Sequence, residues 1–150
     1  MTGVIAPPAA GGRRRLARAG ALGLAALILL AIVAPRVALA HERRSVGGYD
    51  LVVGFAVEPA IEGQKNGLDL RISKDGKPVE GAEKTLKLDV TFVQSKATKG
   101  YAVKTVSGTP GRYTADFIPT LAGQYAFRVY GDINGTAVDA TFTSGPGTFS

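Results

Sequence analysis

From Tyr49 onward, apolar and polar residues alternate with a period of two, the repeat of strands buried on one face. Leu51, Val53, Phe55 and Val57 share one side of the first run, Tyr49 to Val57. Leu68, Leu70 and Ile72 form the inward side of the next, with Asp69, Arg71 and Ser73 outward. Leu86, Leu88, Val90 and Phe92 follow, set against Lys87, Asp89 and Thr91. A shorter run covers Tyr101 to Val106. Then come Tyr113, Ala115 and Phe117, next Tyr125, Phe127 and Val129, and a last run reaching Phe142. The breaks between runs have chemistry of their own. Pro59, within Glu58–Gly63, cannot donate to a ladder, and Asp75-Gly76 and Thr109-Pro110-Gly111 are turn sequences. Asn134-Gly135 is a two-residue hairpin signal, because a type I′ turn needs positive φ at both central residues. Lys96 to Gly100 reads as a basic loop.

Seven strands with no helical period among them predict an all-β fold with two sheets face to face. Gly123-Gln124-Tyr125 stands where a tyrosine corner opens the strand that crosses to the second sheet. Phe127 takes the place of the second cysteine of an antibody domain. The expected architecture is a seven-stranded immunoglobulin-like Greek-key β-sandwich over residues 49–143. Residues 41–48 read as a polar arm, and residues 144–150 as a flexible tail that frays.

Residues 1–40 have the parts of a secretory signal. A basic segment, Arg13 to Arg18, precedes an apolar run from Ala19 to Pro35, and Ala38-Leu39-Ala40 is the small-x-small pattern of a cleavage site. Cleavage after Ala40 makes His41 the new N-terminus. Left uncleaved, the run of about 17 residues is just long enough for an anchoring helix. In either case the domain is expected outside the cytoplasm: periplasmic, secreted or membrane-anchored.

The leader also accounts for the charge. Of the formal +6, five charges are Arg13, Arg14, Arg15, Arg18 and Arg36, with no acid among them, so the rest carries +1. A nearly neutral domain gives no electrostatic footprint for nucleic acid. The chain has no cysteine, which excludes thiol catalysis, thiolate metal sites and disulfides. There is no Gly-x-Ser-x-Gly elbow and no phosphate-cradling glycine loop, and the lone histidine is His41. No catalytic residue is assigned, and a non-enzymatic module without a cofactor is expected.

His41 has one chemical argument. As an N-terminal residue, its α-amino group and Nδ1 chelate a metal in a six-membered ring, a donor pair suited to Cu(II). Glu58 and Glu62, together with Glu42, are the carboxylates close to it in sequence. The other reading is a histidine left by the peptidase at the head of the arm.

Asp75-Gly-Lys-Pro-Val-Glu-Gly-Ala82, followed by the segment Pro110 to Val129, resembles the YtkA-like family of exported immunoglobulin-like domains. The layout is also similar to the CopC-like copper-binding sandwiches, in the Ala-x-Ala leader ending at a histidine, Pro59-Ala60-Ile61-Glu62-Gly63, and a final hairpin. In that family the last hairpin supplies an aspartate and a histidine to copper. Here the matching residues are Asn134-Gly135-Thr136-Ala137-Val138, so neither ligand is present. The resemblance implies the sandwich and the compartment. The expected role is an exported binding or accessory module whose partner is an envelope protein or the membrane. The alternatives are a copper-handling protein using His41, and a membrane-anchored subunit of an envelope assembly.

Overall fold

The computed structural model describes Gly3, residues 41–145 and residues 148–150. Apart from Gly3, the expected leader and its helix lie outside the described residues. Ala38–Ser150 forms one compact unit. Among the described residues it contains ten strands, β1 (Glu42–Val46), β2 (Tyr49–Phe55), β3 (Asn66–Lys74), β4 (Lys77–Pro78), β5 (Lys87–Phe92), β6 (Ala97–Ala102), β7 (Lys104–Thr105), β8 (Arg112–Phe117), β9 (Tyr125–Ile133) and β10 (Thr136–Thr143), with a single 3-10 turn at Ala82–Lys84.

Two antiparallel sheets result. One runs β1-β2-β3-β8-β7, with β4 also on β3, and the other runs β10-β9-β5-β6. The alternating residues face each other between them: Leu51, Val53, Leu68, Leu70, Ile72, Tyr113 and Ala115 from the first, Leu88, Val129, Val138 and Phe142 from the second, all buried. The aromatic part of this core surrounds Phe127, whose ring centroid lies 5.1 Å from Phe55, 5.8 Å from Phe117 and 5.5 Å from Phe149. Where an antibody domain bridges its sheets with a disulfide, this chain stacks aromatic rings.

The strand count differs from the expected seven for local reasons. Residues 41–48 are not a loose arm. Glu42–Val46 pairs with β2 through the two-residue turn Gly47-Gly48, both at positive φ. Of the stretch Lys96–Gly100 expected as a loop, only Lys96 is in a turn; residues 97–100 begin β6, an edge strand paired with β5. The chain then changes sheets at buried Val103, so one expected strand becomes β6 and β7. The tail is anchored as well, since Phe149 is only 1% exposed and stacks on Phe127 at an interplanar angle of 11°.

The sandwich has two distinct ends. At the turn end lie three two-residue hairpins, Gly47-Gly48, Asp75-Gly76 and Asn134-Gly135, with positive φ at all six positions. At the other, the loop end, β2 and β3 are joined by residues 56–65, β5 and β6 by residues 93–96, and β8 and β9 by residues 118–124. His41 enters here, since Glu42 pairs with Val53 near the end of β2.

Candidate functional site

The loop end is built on a tyrosine corner. Tyr125 Oη donates to Leu121 O at 2.9 Å and accepts from Leu121 N at 3.2 Å, which fixes the approach to β9. Three further backbone bonds tie the loops together. Gly63 N donates to Pro119 O at 2.7 Å, Val93 N to Gln124 O at 2.9 Å, and Ala60 N to Ser150 O at 3.2 Å. Asn66 closes the base of the first loop: its side-chain amide accepts from Val57 N at 3.0 Å and donates to Val57 O at 2.9 Å. That pairing replaces a ladder partner and ends β2 at Phe55, so Val57, expected on the inward face, is 59% exposed.

Val57 has company. Among the described residues, the exposed large hydrophobic side chains are Val57, Ile61, Val93, Ile118 and Leu121, and all belong to the loop end. A concavity of about 210 Å³ borders Leu121, with Phe55, Pro59, Glu62 and Tyr125 also in its wall. A second, about 280 Å³, is lined by Phe92, Tyr101, Phe117, Ile118 and Leu121 on the β6 side. A larger groove of about 560 Å³ lies at the turn end, walled mostly by the turn from Thr105 to Arg112 with Glu80, Glu83 and Lys84. It is open, and its charges are of both signs. Its size comes from the gap between two turns, whereas the apolar surface is concentrated at the loop end.

Beside the loop end, the outward face of the first sheet carries a polar network centred on Asp69. This residue is 3% exposed although it points away from the core. It lies on the central strand β3, between Gly54 and Thr114 in register, and three cationic or cation-capable side chains cover it. Arg112 Nε donates to Oδ1 at 2.7 Å, and Arg71 Nη2 and His41 Nε2 reach Oδ2 at 3.1 and 2.8 Å. Burial pushes the Asp69 carboxyl up, but Arg112, His41 and Arg71 together outweigh it and hold the pKa below the ordinary aspartate value. The sequence pattern marks Asp69 as outward but gives no sign of its burial, which needs the strands on both sides.

The residues singled out as metal ligands separate accordingly. His41 is fixed to Asp69, a residue absent from the expected set. Glu58 lies close enough to sense the charge of His41, yet its Oε1 accepts from Phe55 N at 3.2 Å. Burial raises the Glu58 pKa, against the opposing effects of that hydrogen bond and of His41. Glu62 sits apart, in the wall of the apolar concavity. Among the described residues, no three His, Asp or Glu side chains are grouped to hold a metal ion. With Nε2 on Asp69, the atom of His41 left for a terminal chelate is Nδ1.

No family model matches this chain, and no curated protein sequence matches it. Its fold is similar to the crystal structure of a DUF4426 family protein from Pseudomonas aeruginosa PAO1. The TM-score is 0.56 and the identity 15%, covering 70% of this chain and 93% of that one. At that identity the likeness concerns the fold alone. Among the described residues no helix is long and apolar enough to cross a membrane.

Proposed function

We propose that this chain is an exported, non-enzymatic binding or accessory module of the cell envelope that engages its partner through the loop end. The observation that carries this reading is the collection of Val57, Ile61, Val93, Ile118 and Leu121 on three loops cross-bonded at one end. Exposed apolar side chains scattered singly are ordinary, but a shared patch on a rigid base marks a contact surface. The strand order, with the two sheets exchanging the chain three times, favours the immunoglobulin-like Greek-key reading. The YtkA-like assignment rests on the turn signatures at Asp75–Ala82 and Pro110–Val129.

Among the described residues the core lies between Tyr49 and Phe149, so residues 41–150 carry it. Export of this segment behind an unrelated cleaved leader tests the reading. The wild-type domain is expected to stay with the envelope fraction, and a variant with Val57→Ser, Ile61→Ser, Ile118→Ser and Leu121→Ser to be released while still folded by circular dichroism. Equal release of both would sink the proposal. The mass of the native product settles the leader, because loss of residues 1–40 excludes the anchored subunit.

A second reading is copper handling, favoured by one contact: Asp69 takes Nε2 of His41 and leaves Nδ1 beside a terminal amine created by cleavage. Arg71 and Arg112 on the same carboxylate oppose a cation there, so only weak Cu(II) binding is expected. Titration of a protein beginning at His41, against one with an extra residue before it, decides. Tight binding lost on extension would promote copper. Tight binding that survives it would refute the terminal chelate.

A further inference from the structure

We infer that the loop end faces a lipid bilayer, with Val57, Ile61, Ile118 and Leu121 resting in the interfacial layer; this rests on the reading that the loop end is the contact surface, and names its partner. Three observations converge. The first is where the chain enters. Glu42 pairs with Val53, so His41 stands at the loop end, and only the five residues Arg36–Ala40 separate it from the apolar run Ala19–Pro35. Five extended residues reach at most about 17 Å. Whenever that run lies in a bilayer, the junction of the sandwich is confined to within roughly that distance of the membrane surface, on the side that carries the apolar loops.

The second is how the apolar side chains are presented. They project from separate loops that Gly63–Pro119 and Ala60–Ser150 backbone bonds hold together, above the aromatic cluster of Phe55, Phe117, Tyr125 and Phe127. Leu121 is fastened through its own backbone to Tyr125 and yet is 49% exposed. A backbone held on both sides with its leucine still outward presents apolar surface at little cost in ordering.

The third is charge. Lys65 and Lys96 are exposed at this end and Glu62 is the exposed acid among them, so the surface has no strong sign. Apolar insertion, and not attraction to anionic headgroups, is then the term that holds it. Lysine side chains at the rim reach back to the headgroup layer with their stems along the apolar surface.

The chain lacks cysteine, so single labels are unambiguous. The full chain is reconstituted in vesicles with an environment-sensitive fluorophore on Leu121→Cys, on Ile61→Cys, or on Ser107→Cys at the turn end. Quenchers carried on the lipid acyl chains, which report insertion and not mere tethering, are expected to quench the labels at 61 and 121, with a blue shift. The label at 107 is expected to stay in water. Phosphatidylcholine alone and phosphatidylcholine with phosphatidylglycerol should give the same pattern, with little effect of salt. Absence of quenching at 61 and 121, or equal quenching at 107, overturns the inference. A strict requirement for phosphatidylglycerol overturns its apolar basis. In a second arm, residues 41–150 are sedimented with the same vesicles, and Ile61→Ser with Leu121→Ser is expected to lower bound protein about tenfold. If cells retain the domain at the envelope through these residues while protein-free vesicles do not, the occupant is a protein. The bilayer inference then falls and the proposed function stands.

Discussion

The two ends of the sandwich carry the chain from one strand to the next in different ways. Three connections of the turn end are the shortest available. Gly47-Gly48, Asp75-Gly76 and Asn134-Gly135 each reverse the chain in two residues at positive φ, matching the twist of the strands they join. The loop end uses residues 56–65 and 118–124, held by Asn66, by Tyr125 and by bonds from one loop to another. For these three hairpins local chain geometry suffices. At the loop end, conformation is fixed by tertiary contacts, which frees the side chains to be apolar and exposed. The proposed contact surface lies where the connections brace one another.

The largest effect that can break this contrast is expected at Asp69. Asp69→Ala removes a buried carboxylate from beneath Arg112, Arg71 and His41, and should cost about 3 kcal/mol in urea denaturation. The pH dependence has a definite sign. The folded pKa lies below the ordinary 3.8, so the network contributes stability above that pH and loses it as pH falls through the depressed value. Asp69→Asn should flatten this acid limb, and an unchanged limb would mean that Asp69 is not the group responsible.

Tyr125→Phe comes next, at about 1–3 kcal/mol, because both Leu121 backbone groups lose the hydroxyl of the buried Tyr125 as their partner. Tyr130, half-buried on the outer face of β9 beneath Arg128, should cost clearly less as Tyr130→Phe. Equal losses would remove the bracing argument for the loop end.

Gly135→Val tests the turn end. The added Cβ meets no atom within 4 Å, so the penalty comes from backbone strain at φ 82°, about 1–2 kcal/mol by thermal unfolding. A loss far above this would show tertiary dependence where local geometry is argued to suffice.

The smallest stability effect belongs to the surface proposed to matter most. Ile61→Ser and Leu121→Ser should each shift stability by no more than about 0.5 kcal/mol while removing envelope or vesicle binding. A large destabilisation would turn these side chains into core residues and dissolve the distinction between fold and site.

The alternation of apolar residues was enough to determine the inward faces of β3, β5, β8 and β9, because a strand's side chains change sides at every residue whatever its neighbours. Asn134-Gly135 and Asp75-Gly76 were legible for the same reason, since positive φ is a property of the residue itself. Gly47-Gly48 carried the same signal, hidden by the charged residues before it, and with it went β1. What tertiary structure alone decided is what depends on partners distant in sequence. Val57 continues the alternation of β2 but is exposed because Asn66 takes its backbone. Phe149 follows glycine-rich turn chemistry but is buried because Phe127 offers a ring to stack on. Asp69 looks like any solvated strand acid, and becomes the centre of a network because β1 and β8 bring His41 and Arg112 to it across 28 and 43 residues of chain. Period and turn chemistry are local and survive in the sequence, whereas the burial of an outward carboxylate and the gathering of apolar loops at one end exist only once both sheets have closed.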